Sequence, residues 1–155
     1  MDFATLKFVH LLGVVLFMGN IVVTALWKSL ADRTGNPVII AHACRLVVVT
    51  DLAFTASGSL LLVIGGIGML HLGGIDLATR PDLQAGIMLF VVAGVIWLVG
   101  LIPVQRHMAR QSRDSLAQGH AELPASYRRD SRRWNSLGII ATVLPLASLW
   151  YMIVR

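Results

Sequence analysis

Residues 8–27 read FVHLLGVVLFMGNIVVTALW, and this apolar run decides the fold class. A helix rises about 1.5 Å per residue, so a run of about twenty residues crosses a hydrocarbon core about 30 Å thick. Three further runs of similar length follow, at about 46–70, 85–104 and 137–154. The sequence therefore predicts an all-α fold, a transmembrane four-helix bundle, with residues 1–155 as one domain.

The composition supports a membrane protein. Hydrophobic residues make up 56% of the 155 residues and charged residues only 14%, with a mean hydropathy of +0.75. Soluble domains carry about a quarter charged residues. The formal charge is +5, but the basic residues flank the spans without a recognition motif, so nucleic acid is not an expected partner. Membrane lipid is an expected partner, and a homo-oligomer or a larger membrane complex is possible.

The basic residues near the spans predict the orientation, because cytoplasmic connections are enriched in Lys and Arg. The first connection follows Lys28 and contains Arg33, with Arg45 at the start of the second span, whereas the second connection contains only Arg80. The third, a basic loop over about 105–136 into which the third helix is expected to continue, is the richest in arginine: Arg106, Arg110, Arg113, Arg128, Arg129, Arg132 and Arg133. We expect the first and third connections in the cytoplasm of a bacterial inner membrane, and both termini outside.

Polar and small residues fall on one helical stripe in each of the first two spans. Lipid cannot satisfy polar side chains, so such stripes are predicted to face the other helices. The first stripe contains His10, Gly13, Phe17, Asn20 and Thr24, and the second contains Asp51, Thr55, Gly58, Leu62 and Gly65. His10 is expected near the outer end of the bundle and Asp51 near the cytoplasmic end. The two ionisable residues are therefore predicted to form separate sites.

Asp51 has two interpretations. An acid inside a span needs a partner or a function, because it costs free energy at that depth. The structural interpretation is a carboxylate held by Asn20 and Thr24, or by Arg45 and Arg106 at the nearby surface. The functional interpretation is an acid that binds and releases protons. The sequence is compatible with both interpretations.

His10 is the candidate cofactor ligand. Neutral imidazole is a common haem ligand in helical bundles, and Gly13 one turn further on is expected to leave room for a macrocycle. The alternative is a histidine that bonds a neighbouring helix. His71 lies at the same depth and is a weak candidate for a second ligand. Trp97, in the middle of the third span, is interpreted as packing. The other histidines and tryptophans named here are interpreted as solvated or interfacial: His42, His107, His120, Trp27, Trp134 and Trp150.

The run LKFVHLLG at 6–13, followed by Gly19, resembles the opening of a family of small bacterial membrane proteins catalogued as domain of unknown function 2269. RLVVVTDLAFT at 45–55 resembles the second span of that family, and GLIPVQ at 100–105 resembles the exit from its third span. The resemblance covers most of the chain. It implies four spans and no established activity.

A looser resemblance relates the first span to the four-span protoporphyrinogen oxidases of the HemJ type. Lys7, His10, Gly13 and Gly19 match their Lys-x-x-His motif and the glycines that follow it. In those proteins the histidine acts towards haem b, which this resemblance implies for His10. Their third span carries a Lys and a later His, where this chain has Gln84, Met88 and apolar residues.

Two functions follow from these residues. The first is a membrane protein that binds b-type haem through the imidazole of His10, as a ligand of the haem iron, for electron transfer or haem-related redox chemistry. The second is a non-enzymatic membrane subunit or a small proton-coupled transporter that uses Asp51. No catalytic motif such as H-E-x-x-H or G-x-S-x-G is present. The sequence therefore leaves open whether the protein is an enzyme, and identifies no catalytic residue.

Overall fold

The structure is a computed structural model and describes residues 1–120 and 122–154. Two π-helical turns, Asp51–Ala56 and Ile96–Leu101, join successive helices into longer continuous ones. The helices are α1 (Phe3–Arg33), α2 (Pro37–Thr50), α3 (Ser57–Leu72), α4 (Pro81–Val95), α5 (Ile102–Ala117) and α6 (Ala125–Val154). With the π-helical turns included, they form four continuous helices, each long and apolar enough to cross a membrane. The predicted all-α four-helix bundle is confirmed.

The helices are longer than the apolar runs that predicted them. The first extends over Phe3–Arg33, and the third over Pro81–Ala117. Helices also occupy most of the basic segment 105–136, because α5 reaches Ala117 and α6 begins at Ala125. Hydropathy marks the part of a helix that suits lipid, whereas polar residues such as Arg and Gln extend a helix equally well in water. The expected continuation of the third helix beyond its span is confirmed.

The first two spans pack through glycine. A Cβ added at Gly58 would lie 2.8 Å from the backbone nitrogen of Phe17, and one at Gly65 would lie 2.6 Å from that of His10. Only glycine permits the backbones of α1 and α3 to approach this closely, as in other small-residue contacts between membrane helices. The predicted inward stripes of both spans therefore face each other across this contact.

The buried apolar core lies at the end of the bundle where α2, α5 and α6 meet. Val47, Met108 and Tyr127 belong to this core and are almost completely buried. We call this the basic end, because the arginines of α5 and α6 surround it. Elsewhere large apolar side chains such as Leu52 and Val99 are 76% and 72% exposed. Exposed apolar surface on this scale is what a lipid-facing bundle requires.

Candidate functional site

Asp51 occupies the first turn of the π-helical segment Asp51–Ala56 and accepts four hydrogen bonds. Its Oδ1 accepts from Asn20 Nδ2 at 3.2 Å and from Thr55 Oγ1 at 3.1 Å. Its Oδ2 accepts from Trp97 Nε1 at 3.0 Å and from Gln105 Nε2 at 2.8 Å. The donors come from three spans, so the carboxylate is a junction of the bundle.

All four donors are neutral. Asp51 forms no salt bridge with any residue in the described part of the chain. Four donors match the lone-pair sites of an ionised carboxylate, which only accepts. The arrangement can therefore satisfy an ionised carboxylate inside the bundle through hydrogen bonds alone.

A second layer of hydrogen bonds orients these donors. Trp134 Nε1 donates to Gln105 Oε1 at 3.4 Å, so the amide nitrogen of Gln105 faces Asp51. Thr24 Oγ1 donates to Asn20 Oδ1 at 3.1 Å and orients that amide in the same way. An indole N–H only donates, so the orientation of the Gln105 side chain follows from the chemistry of its neighbour.

Asp51 lies on the wall of a cavity of about 220 Å³, here named the upper cavity. For comparison, an engineered cavity of about 150 Å³ holds benzene. Aromatic, apolar and hydroxyl side chains line most of the rest, among them Phe17, Thr24, Thr55, Phe90, Trp97 and Trp134. A small molecule or several water molecules can therefore reach the carboxylate from within the bundle.

Two of the four donors lie in π-helical turns. Thr55 shares the first turn with Asp51, and Trp97 lies in the other, Ile96–Leu101. Such turns insert an extra residue into a helix, rotate the side chains that follow, and are frequent at functional sites. The Asp51–Trp97 hydrogen bond links the two turns directly.

The prediction for Asp51 was correct in part. Asn20 contacts the carboxylate as predicted, whereas Thr24 contacts Asn20 instead. Arg45 and Arg106 are exposed and form no bond with it, so the guanidinium alternative is wrong. Both lie on the surface of their helices, where water or headgroups solvate the charge more favourably than the bundle interior.

Gln105 and Trp97 were missed as partners of Asp51. Trp97 was interpreted as packing, but its indole nitrogen bonds the acid. Trp134 was interpreted as interfacial and is 7% exposed, inside the core. A buried indole N–H usually has a hydrogen-bond acceptor, and this was the available signal for both tryptophans.

His10 lies far from Asp51, as predicted. Its Nδ1 bonds the backbone carbonyl of Leu62 at 2.7 Å, and Leu62 follows Asp51 by eleven residues, or about 16 Å of helix. A carbonyl oxygen only accepts, so Nδ1 carries the proton and Nε2 of the neutral ring keeps its lone pair. Nε2 has no partner among the described residues and is not enclosed. His10 therefore bonds a neighbouring helix, α3, which was the alternative to a cofactor ligand.

The expected space for a macrocycle beside Gly13 is absent. A Cβ on Gly13 would lie 2.7 Å from the carbonyl oxygen of Gly58, because the backbone of α3 fills that face. His71, the weak second ligand, is exposed at the end of α3. The residues around His10 therefore do not fit a haem inside the bundle, and Gly13 serves helix packing. Within the described ranges, no group of three or more His, Cys, Asp or Glu residues is placed to hold a metal ion.

A second charged centre lies at the basic end, and the sequence did not predict it. Lys28, which follows the first apolar run and was expected to flank the span, is 0% exposed. Its Nζ donates to Asp32 Oδ2 at 2.5 Å and to Ser131 Oγ at 2.8 Å. Tyr127 donates from its hydroxyl to Asp32 Oδ1 at 2.7 Å. The spacing of polar residues in α1 could have indicated that Lys28 faces the bundle. Four of them recur at every fourth position: Asn20, Thr24, Lys28 and Asp32.

These features define an integral membrane protein with four spans, an acid inside the bundle and a buried ion pair at one end. The family of predicted integral membrane proteins named DUF2269 matches residues 4–155, and the chain belongs to this family. No curated protein and no solved structure matches the chain. The looser resemblance to HemJ-type oxidases therefore has no support from these comparisons.

Proposed function

We propose that this protein is a small proton-coupled membrane transporter in which Asp51 binds the proton. The observation that carries the proposal is an acid without a basic partner in the described part of the chain, on the wall of a cavity inside the bundle. Ionisable residues at membrane depth are rare and often mark proton or ion pathways. A purely structural carboxylate would not need a cavity beside it.

The hydrogen bonds around Asp51 suggest where the proton binds. On the Oδ2 side, Trp97 cannot accept a hydrogen bond, and Gln105 is held with its oxygen towards Trp134. On the Oδ1 side, the hydroxyl of Thr55 can turn and accept. A proton on Oδ1 therefore preserves both bonds to the third span.

Protonation would weaken the bonds that hold three spans together. Hydrogen bonds to a charged acceptor are worth about 1.5–3 kcal/mol and those to a neutral one about 0.5–1.5 kcal/mol. Loss of the charge therefore loosens the contacts of Asn20, Trp97 and Gln105 at the same time. Since Trp97 and Asp51 both lie in π-helical turns, this change acts where neither span has regular α-helical geometry. The proton would thus be coupled to the shape of the upper cavity.

The proton site can be tested by infrared difference spectroscopy of the reconstituted protein between high and low pH. We expect a band from a protonated carboxyl group that is absent in Asp51→Asn. Asp76→Asn is the matched control, because Asp76 is an exposed acid in the second connection. A spectrum in which Asp51→Asn removes no carboxyl band would show that Asp51 does not titrate and would overturn the proposal.

Transport is tested in proteoliposomes that contain a pH-sensitive dye, to which candidate solutes are added one at a time. We expect proton movement that depends on one of the solutes and is lost in Asp51→Asn. Proton movement that persists in this variant would assign the coupling to another residue.

Haem binding at His10 is a second candidate, and one observation favours it. The bond from Nδ1 to Leu62 fixes the tautomer and leaves Nε2 accessible and without a partner among the described residues, as a carbonyl often does for histidines that bind metals. Purified protein should then show a Soret band that is lost in His10→Ala and retained in Asp51→Asn. Colourless protein from haem-replete cells would exclude this candidate.

We further propose a bacterial inner membrane location, with the basic end in the cytoplasm and both termini outside. Lys28 no longer supports this orientation, because it is buried. Among the described residues, the exposed arginines at the basic end still outnumber the basic residues at the opposite end, Lys7 and Arg80, by a wide margin.

A further inference from the structure

Lys28 lies between two cavities. The upper cavity, which contains the Asp51 carboxylate, is lined by Thr24 and Trp134 at its end nearest to Lys28. A second cavity of about 500 Å³, here named the lower cavity, lies at the basic end. Its lining combines the apolar Ile40 and Leu123 with polar and charged side chains: Asp32, Glu122, Tyr127, Arg128, Ser131 and Arg132. Lys28 lines neither cavity and is completely buried.

The ammonium group of Lys28 contacts residues of both cavities. Its Nζ lies 5.3 Å from the ring centre of Trp134, which lines the upper cavity. It lies 5.3 Å from the ring centre of Tyr127, which lines the lower one. The same nitrogen donates to Asp32 and Ser131 on the wall of the lower cavity. Lys28 and these two rings therefore form a partition between the cavities.

The partition depends on one ion pair. Removing one partner of a buried pair costs several kcal/mol, because the remaining charge is left without compensation. Asp32 is the partner that water can reach, since its side chain is 22% exposed, whereas that of Lys28 is 1% exposed. A change of charge at Asp32 would therefore destabilise the buried position of Lys28.

We propose that Asp32 is a second proton-binding site, which takes its proton from water in the lower cavity, and that the Lys28–Asp32 pair closes the passage from there to Asp51. Protonation of Asp32 leaves Lys28 without its counter-ion and favours its movement towards the lower cavity, where Glu122 offers another carboxylate. This inference rests on the proposed function, because the passage would supply protons or solute to Asp51.

Several groups face Asp32 and belong to the same equilibrium. Lys28 contacts it from α1, and Tyr127 and Ser131 contact it from α6. Cys44 of α2 contacts the hydroxyl of Tyr127 at 3.4 Å. Arg128, Arg132 and Glu122 share the lower cavity. The pair of opposite charges at hydrogen-bond distance is the strongest of these interactions, so it decides whether the partition is closed.

The test measures access to the upper cavity by cysteine labelling in proteoliposomes. Thr142→Cys is placed on the wall of the upper cavity in a Cys44→Ala background, and a small charged methanethiosulfonate, which does not cross lipid, is the probe. Gln118→Cys, in the exposed turn after α5, is the reference. The ratio of the two labelling rates cancels the effect of pH on thiol reactivity. We expect a low ratio at neutral pH and a higher ratio at acidic pH.

Lys28→Ala removes the partition itself. Since a tenfold change in rate corresponds to about 1.4 kcal/mol, and the pair is worth several kcal/mol, we expect the ratio to rise by about tenfold or more at neutral pH and to lose its pH dependence. Lys7→Ala, at the opposite end of the same helix, is the matched control. An unchanged ratio in folded Lys28→Ala would overturn the barrier role of Lys28. If this variant does not fold, a pH-independent ratio with Lys28 intact overturns the proposal by itself.

Asp51→Asn separates this inference from the proposed function. We expect the pH-dependent labelling of Thr142→Cys to persist in Asp51→Asn, because the partition depends on Asp32. If labelling responds to pH but Asp51 shows no infrared band, the partition exists and the function assigned to Asp51 fails. If the band is present but labelling does not respond, the inference fails and the proposed function remains.

Discussion

Trp97 donates from Nε1 to Oδ2 of Asp51 at 3.0 Å, and this bond joins the two π-helical turns of the bundle. The second span thereby binds the third at a point where neither helix has regular geometry. If either π-helical turn were replaced by regular α-helix, the side chains that follow it would point to a different face of the helix. The two turns and the hydrogen bond between them therefore depend on each other.

Trp97→Phe should destabilise the protein because it removes one donor from the carboxylate. The expected loss is about 1–3 kcal/mol in the free energy of unfolding, the range for an unsatisfied buried charge acceptor. Unfolding in mixed micelles of detergent and SDS measures it. Trp150→Phe is the control, since Trp150 is 61% exposed, and should change stability by less than about 0.5 kcal/mol. Equal stability of the two variants would show that the bond contributes nothing.

Gly13→Ala should separate the first two spans. The added Cβ would lie 2.7 Å from the carbonyl oxygen of Gly58, a backbone atom that cannot move independently. We expect a loss of about 1–3 kcal/mol, as for other overpacked sites. Gly19→Ala on the same helix meets nothing within 4 Å and should be neutral or stabilising. The comparison of the two thermal unfolding curves is the measurement, and a neutral Gly13→Ala would contradict the close packing.

The Lys28–Asp32 pair should show strong coupling in a double-mutant cycle. Asp32→Asn leaves Lys28 buried without a counter-ion and should cost about 3–5 kcal/mol. Adding Lys28→Met removes the stranded charge, so the double variant should be more stable than Asp32→Asn alone. Arg113→Met provides the exposed comparison, because the Arg113–Asp114 pair lies at the surface, where such pairs contribute little. If the losses in the free energy of unfolding caused by the two substitutions were additive, Lys28 and Asp32 would not interact as a buried ion pair.

The proposed orientation predicts which connections can be labelled from outside intact cells. With Cys44 replaced by Ala, Ala78→Cys in the second connection should react with an impermeant maleimide. Gln118→Cys, between α5 and α6, should react only after the cells are permeabilised. Both positions are exposed, so a difference in labelling reports the side of the membrane. The reverse pattern would invert the orientation.

The start of α1 should depend on pH through Asp2. Its Oδ1 accepts from the backbone nitrogen of Thr5 at 2.7 Å, and hydrogen bonding to Thr5 lowers the pKa of Asp2 below its ordinary value of 3.8. The cap is therefore present above this value and is lost as the pH falls through the lowered pKa. The amide resonance of Thr5 should titrate in this range, and Asp2→Asn should abolish the titration. A shift that survives in Asp2→Asn would assign the titration to another group.

The sequence predicted the inward faces of the first two spans because each residue turns the helix by a known angle. Phe17 and Thr24 of the first span are buried, as are Thr55, Gly58 and Gly65 of the second. It also predicted that His10 and Asp51 lie apart, because the rise per residue gives depth within a span. It did not predict how the spans meet, so the space expected beside Gly13 is filled by a neighbouring backbone.

Helical period and rise per residue did not predict the partners of Asp51 or the environment of Lys28. Gln105 contacts Asp51 across 54 positions of the chain, and Ser131 contacts Lys28 across 103. Spacing within one helix does not say which residue of another helix lies opposite. A lysine at the end of an apolar run has the same local sequence whether it is solvated or buried.

The sequence by itself determined the four spans, their apolar surface and the stripes that turn inward, because length, hydropathy and helical period are local properties of a chain. Only the tertiary structure decided that Asp51 joins three spans and that Lys28 is buried against Asp32 and Ser131. Both depend on the axial register and rotation of helices against each other. That register is set by the sum of many weak contacts, such as those of Gly13 and Gly58, rather than by any single stretch of residues.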